Sequence, residues 1–192
     1  MLSRKRVPIM LILFAALMAG AGNGITIVAF PWLVLQRTGS ALDASLVAMA
    51  GTLPLLAATL IAGAAVDYLG RRRVSMISDA LSALSVAAVP VIALSFGADA
   101  INVVVLAILA AFGSLFDPAG MTARESMLPE AATRAGWTLD HANSVYEAVF
   151  NLAYIIGPGI GGLLIAAVGG INTMWVTAGA FCLSIAAVGL LG

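Results

Sequence analysis

Six long apolar runs, separated by polar turns, constrain the fold of this chain more than any other feature of its sequence. The runs cover residues 7–35, 42–66, 74–96, 100–116, 144–168 and 172–192. A helix needs about 20 residues to cross the hydrocarbon core of a bilayer, and none of these runs alternates as the strands of a membrane barrel do. The sequence therefore predicts an all-α, polytopic membrane protein with six transmembrane helices.

The composition excludes a water-soluble domain. Of the 192 residues, 62% are hydrophobic and 9% are charged, and the mean hydropathy is +1.09. Soluble domains hold about 25% charged residues. A domain of this size leaves much of its surface exposed and could not hide so many apolar side chains from water.

Positive charge is distributed unevenly among the turns. If the N-terminus is cytoplasmic, every Lys and Arg except Arg37 lies on the cytoplasmic side. Cytoplasmic loops of membrane proteins collect these residues. We therefore expect both termini to be cytoplasmic and residues 117–143 to form one long cytoplasmic loop.

The turn between the second and third runs reads Gly63-Ala-Ala-Val-Asp67-Tyr-Leu-Gly70-Arg71-Arg72-Arg73. A plain cytoplasmic turn would explain the arginines but not Asp67, since an acid at a helix end is costly unless it is paired or near a helix N-terminus. The spacing Gly-x-x-x-Asp-x-x-Gly-Arg-Arg resembles the loop signature of the major facilitator superfamily, which joins the second and third helices. Ala65 and Tyr68 depart from the family pattern.

This resemblance implies a conformational latch that holds the outward-facing state. In the family, the acid and the arginine four residues later form a charge network with an acid at the cytoplasmic end of helix four, where Asp117 stands here. The latch would close against a helix of a second six-helix half. The latch residues that the resemblance implies are Gly63, Asp67, Gly70, Arg71, Arg72 and Asp117.

The fifth run contains Gly157-Pro158-Gly159-Ile160-Gly161-Gly162. A proline kinks a helix, and spaced glycines let another helix approach closely, so a packing kink is the simplest interpretation. The pattern also resembles the helix-five signature of drug-proton antiporters, Gly-Pro-x-x-Gly-Gly, carried here by Gly157, Pro158, Gly161 and Gly162. The segment from Asp117 to Ser144 is similar to the bacterial multidrug and macrolide exporter branch of the superfamily.

Certain polar residues within the apolar runs are candidates for function. Asn23, Thr26 and Asn151 are candidates for a substrate pathway, since transporters bind substrate near the bilayer midplane, and an interhelical hydrogen bond is the alternative for Asn23. Asp79, Glu147 and Asp117 are candidate proton carriers. The alternatives are pairing to nearby arginines for Asp79 and a favourable interaction with the helix dipole for Glu147.

The sequence thus predicts the N-terminal six-helix half of a major facilitator superfamily transporter in a bacterial inner membrane. By resemblance it would export small lipophilic compounds by alternating access, driven by a proton gradient if it is an antiporter. The sixth run reaches Gly192 without a polar tail, so we expect the second six-helix half in a longer chain or in another one. The alternative is a six-helix membrane protein that assembles into an oligomeric channel or scaffold.

Other classes of function lack their usual residues in this sequence. The chain has no phosphate-binding loop, and one histidine with one cysteine cannot build a usual zinc site. We expect no enzymatic activity, no cofactor, no metal and no nucleic-acid partner. The expected partners are the lipid bilayer, a small-molecule substrate and the second half.

Overall fold

Helices account for nearly all of the computed structural model, which describes residues 4–191. Two short 3-10 turns lie at Arg4–Arg6 and Ala98–Ala100, and no strand occurs within the described range. The α-helices are α1 Val7–Thr38, α2 Ala41–Leu69, α3 Arg71–Phe96, α4 Val103–Ser114, α5 Asp117–Glu125, α6 Leu128–Ala135, α7 Leu139–Val168 and α8 Gly170–Gly189.

Six stretches of the described chain are long and apolar enough to cross a membrane. Five of them are α1, α2, α3, α7 and α8, and the sixth is Val103–Ala135, in which α4, α5 and α6 follow one another. The predicted all-α fold with six transmembrane helices is confirmed. The last residue of the sixth predicted run, Gly192, lies outside the described residues.

The predicted loop over residues 117–143 is helical along most of its length, so that prediction was wrong. α5 begins at Asp117, α6 follows, and α7 begins at Leu139, five residues before the predicted start. Local sequence signals support these helices: α5 and α6 each have proline in their first turn, and the hydroxyl of Thr138 accepts a hydrogen bond from the backbone N–H of His141. Hydropathy missed them because they carry polar faces.

The arginine-rich turn is also shorter than predicted. α2 continues to Leu69 and α3 begins at Arg71, so only Gly70 separates the two helices. Its φ of 83° lies in the left-handed region, which glycine adopts without the steric penalty of a Cβ atom. The three arginines therefore form the first turn of α3 rather than a loop.

We call the end of the bundle formed by residues 70–73, 126–138 and 189–191 the basic end. Arg71 contacts the backbone of Ser126 there, and Arg72 donates a hydrogen bond to the carbonyl of Gly189. These contacts bring the start of α3, the link between α5 and α6, and the end of α8 together.

α1 lies at the centre of the bundle, where it packs against α7, α8 and α2. α3 packs against α8, α4 and α5. The six spans are buried to different extents. In α1, α3 and α8, 44–50% of the most apolar part of the helix is buried inside the bundle, whereas in α2, α7 and the stretch 103–135 only 17–22% of that part is buried. The three less buried stretches therefore present a large apolar surface outside the bundle.

α1 and α7 cross in direct backbone contact. A Cβ atom added to Gly157 would lie 2.7 Å from Cα of Gly24, and one added to Gly24 would lie 2.8 Å from the carbonyl oxygen of Tyr154. That carbonyl is left without its helical donor because Pro158 has no N–H. One turn further along, a Cβ on Gly161 would lie 3.3 Å from Cα of Ile25. Small residues therefore set the distance between the two helices, as is common in membrane bundles.

We expect Gly157→Ala to destabilise the full-length protein by about 1–3 kcal/mol, because the added methyl group forces α1 and α7 apart. Gly179→Ala is the matched control, since no heavy atom lies within 4 Å of a Cβ at that position on α8. Thermal unfolding of the purified proteins in detergent measures the difference. Equal stability of the two variants would contradict the crossing described here.

Candidate functional site

A cavity of about 500 Å³ lies among α1, α2, α3, α4, α5, α7 and α8. Its walls are mainly apolar, with aromatic rings from three helices: Phe30, Phe150, Tyr154 and Phe181 take part. Polar groups are few and come from several helices: Asn23, Thr26, Thr52, Thr59, Ser82, Ser85, Ser114, Asp117 and Arg124. Such a site suits a lipophilic molecule with one or two polar groups.

Asp117 is the one carboxylate on the cavity wall among residues 4–191. The hydroxyl of Ser82 donates to its Oδ1 at 2.9 Å, and the side chain is partly buried. We expected Asp117 at the cytoplasmic end of helix four, but it stands near the middle of the stretch 103–135, where α4 gives way to α5. A new helix, α5, begins at Asp117, because Pro118 is compatible with a first helical turn.

A second acid, Asp79, is buried in an ion pair. Nη1 of Arg124 lies 3.0 Å from Oδ1 and 3.1 Å from Oδ2 of Asp79, and both side chains are at most 3% exposed. The hydroxyl of Ser184 is 2.6 Å from Oδ2 of Asp79 and 3.1 Å from the carbonyl oxygen of Ala15. The pair therefore joins α3 and α5 to α8 and α1.

Asp79 was predicted as a proton carrier, with an arginine partner as the alternative. The structure gives it such a partner, but this is Arg124 rather than one of the arginines at the start of α3. Arg124 touches the cavity wall, whereas Asp79 lies behind it. Arg124 was expected among the charges of the cytoplasmic loop. Its ion pair with Asp79 was not predicted, because pairing across 45 residues leaves no local pattern in the sequence.

A ladder of serines on α3 faces α4 and α5. Ser78 donates to the carbonyl of Phe116 at 2.8 Å, Ser85 donates to that of Leu109, and Ser82 lies 3.2 Å from that of Gly113. The helices approach closely here: a Cβ on Gly113 would lie 2.9 Å from Oγ of Ser85. The spacing of three and four residues between these serines places them on one helix face, and it is the signal by which the ladder could have been predicted.

The residues predicted to form a latch are not joined to one another in this structure. Arg71 donates to the carbonyl of Ser126 at 2.8 Å and pairs with Glu130 at 3.0 Å. Asp67 is exposed, and no ion pair within residues 4–191 connects it to Arg71. Arg72 bonds to the end of α8 instead, and Asp117 faces the cavity rather than the arginines. Glu130, which the sequence analysis did not single out, also pairs with Arg134 at 2.7 Å.

The remaining predicted site residues separate into two groups. Asn23 and Thr26 line the cavity. Asn151 and Glu147 do not: they lie on the exposed face of α7, where the amide of Asn151 donates to the carboxylate of Glu147 at 3.0 Å. The glycine-proline motif of the fifth apolar run lies on α7, and its Gly157 and Gly161 contact α1, as described above. Gly162 has open space around it and Gly63, on α2, does too.

Comparison with known proteins gives consistent results. The family described as Major Facilitator Superfamily matches residues 12–192. Over its whole length the chain is 82% identical to the multidrug efflux pump Tap of Mycolicibacterium fortuitum and 66% identical to the multidrug efflux pump Tap of Mycobacterium tuberculosis, covering 47% and 46% of those proteins. It is 30% identical, over 95% of its length, to the uncharacterised MFS-type transporter YfiS of Bacillus subtilis and covers 42% of it. The chain thus spans about half the length of these relatives.

The buried ion pair can be tested by a double-mutant cycle. We expect Asp79→Ala and Arg124→Met each to lower the free energy of unfolding by about 3–5 kcal/mol, because each leaves one uncompensated buried charge. The double variant should lose clearly less than the sum of the two. Denaturant unfolding of the purified full-length protein provides these values. The exposed pair of Glu130 and Arg134 serves as the control, since breaking it should cost at most about 1 kcal/mol; purely additive losses at the buried pair would contradict a direct interaction.

Proposed function

This chain belongs to the major facilitator superfamily, and we propose that it forms one six-helix half of a secondary transporter that exports small lipophilic compounds by alternating access. Export is supported by two relatives, both of which are named multidrug efflux pumps. Transporters of this kind bind substrate near the membrane midplane between two halves.

The observation that carries this proposal is the cavity. Its apolar and aromatic walls would bind lipophilic compounds, while its hydroxyl and amide groups would orient them. The same wall holds an acid close to the middle of a membrane-spanning stretch, where ionisable groups are costly and usually functional. A packing scaffold needs neither a cavity of this size nor that acid.

A second six-helix half would cover the less buried stretches. α2, α7 and the stretch 103–135 border the cavity, and they are also the helices with the most exposed apolar surface. The chain spans about half of its relatives' length, which leaves room in those proteins for a second half. In our proposal the two halves enclose the cavity and rock against each other.

We further propose that the basic end faces the cytoplasm, in a bacterial inner membrane, so that both termini are cytoplasmic. Arg71, Arg72, Arg73 and Arg134 support this orientation through the positive-inside rule, because all four are at that end and exposed. Arg124 carries no weight here, since it is buried against Asp79.

For coupling, we propose proton antiport with Asp117 as the main proton acceptor. Asp117 reaches the cavity, whereas the charge of Asp79 is compensated by Arg124. Glu147 lies outside the cavity, on the exposed face of α7, and accepts a hydrogen bond from Asn151. Of the three candidates named from the sequence, Asp117 is therefore the one that we propose as the main proton carrier.

The cavity can be tested by blocking it. In a full-length protein from which Cys182 and any other cysteine have been removed, Thr52→Cys places a single thiol on the cavity wall. We expect a bulky thiol reagent to reduce ethidium efflux to the background level in cells that lack their own efflux pumps. Asp99→Cys, in the exposed turn between α3 and α4, should be labelled without loss of efflux. Full efflux after complete labelling at position 52 would contradict the proposal.

The latch also remains a proposal, and it requires a state in which Asp67 meets the second half. We expect Asp67→Asn in the full-length protein to lower ethidium efflux about tenfold while the amount of protein in the membrane stays unchanged. Asp140→Asn, an exposed acid at the same end of the bundle, is the control and should keep normal efflux. Wild-type efflux by Asp67→Asn would refute the latch.

A further inference from the structure

Ser82 differs from the other serines of the ladder in having two acceptors for one hydrogen. Its Oγ lies 2.9 Å from Oδ1 of Asp117 and 3.2 Å from the carbonyl oxygen of Gly113. A serine hydroxyl carries one hydrogen, which can be donated fully to only one of them. Ser78 and Ser85, by contrast, have a backbone carbonyl as acceptor and no carboxylate.

Within the described part of the chain, Ser82 is the side chain that donates a hydrogen bond to Asp117, and none of the titratable groups nearby does so. Three titratable groups are near enough to Asp117 to interact with it electrostatically: Asp79 on α3, Arg124 on α5 and the phenol of Tyr154 on α7. Arg124 directs one nitrogen to both oxygens of Asp79. The cavity residues of α1 and α2 are uncharged, and those of α4 are too. A change in the protonation state of Asp117 therefore first changes the hydrogen bond that Ser82 makes.

We propose that Ser82 is a positioning residue that responds to the protonation state of Asp117 and passes it to the contact between α3 and α4. This inference rests on the proposed proton uptake at the cavity. When Asp117 is ionised, Ser82 donates to its carboxylate. When a hydronium ion in the cavity gives a proton to Asp117 and leaves as water, the new O–H group donates to Oγ of Ser82, and the serine hydrogen turns to the carbonyl of Gly113.

The location of this exchange gives it a mechanical consequence. α4 ends at Ser114 and α5 begins at Asp117, and Pro118 cannot donate to the carbonyl of Ser114 four residues earlier. The helical hydrogen bonding is therefore already interrupted at the end of α4, next to the carbonyl of Gly113. This carbonyl is the one that gains or loses the hydrogen bond from Ser82. A change of one hydrogen bond at a break shifts the adjoining segments more easily than in an intact helix.

The test measures protonation of Asp117 directly and uses no transported compound. Infrared difference spectra of the purified full-length protein between acid and alkaline pH should show the C=O band of a protonated carboxyl group, assigned by its loss in Asp117→Asn. We expect Ser82→Ala to move the midpoint of this band upward by about one pH unit, because the hydrogen bond that favours the ionised form is lost. Ser82→Thr keeps a hydroxyl and should restore the wild-type midpoint.

Ser78→Ala and Ser85→Ala are the matched controls, since each removes a serine of the same ladder that bonds to backbone only. They should leave the midpoint unchanged. An unchanged midpoint in Ser82→Ala, an equal shift in the controls, or no titrating band for Asp117 would each overturn the proposal. If Ser82→Ala does not fold, Ser82→Cys should give a smaller upward shift, because a thiol is a weak donor, and no shift would again overturn it.

This experiment is separate from the test of transport. A shifted midpoint in a protein without ethidium efflux would leave the role of Ser82 standing and remove the proposed export. Efflux together with an unshifted midpoint would do the reverse.

Discussion

The buried ion pair between Arg124 and Asp79 is the interaction on which the rest of this bundle depends. Two charges in an apolar interior are costly unless each compensates the other and the remaining polar atoms find partners. Here α3 supplies the acid, α5 the base, and Ser184 of α8 a further hydrogen bond. The relative positions of these helices are thereby fixed near the basic end, which leaves the region toward the membrane centre free to form a cavity.

The pair also determines the electrostatics of the cavity. Because Asp79 and Arg124 neutralise each other, the acid that remains on the cavity wall, Asp117, stands without an ion-pair partner in the described chain. The hydroxyl of Tyr146 on α7 is also buried, and its phenol lies close enough to Arg124 to interact with the guanidinium group.

Close approach of backbones holds the helices together where lipid removes the hydrophobic driving force between them. Glycine serves this purpose at the crossing of α1 and α7, where Gly24 faces Gly157. Between α3 and α4 the same closeness is combined with a hydrogen bond from Ser85 to the carbonyl of Leu109. The glycines of the helix-five motif therefore have two different surroundings: Gly157 and Gly161 pack against α1, whereas Gly162 is open to an additional partner.

The sequence by itself determined the fold class and the number of spans, because helix length and hydropathy depend on neighbouring residues in the chain. Of the three residues proposed for a substrate pathway, Asn23 and Thr26 line the cavity and Asn151 does not. Asp117 also lines it, although the sequence pattern had placed this residue at the cytoplasmic end of helix four. It could not place residues 117–143, since amphipathic helices with proline in their first turns resemble a polar loop in composition. Only the tertiary structure decided that Asp79 pairs with Arg124 and that Ser82 holds Asp117, because these contacts join different helices and depend on how the helices are rotated and spaced.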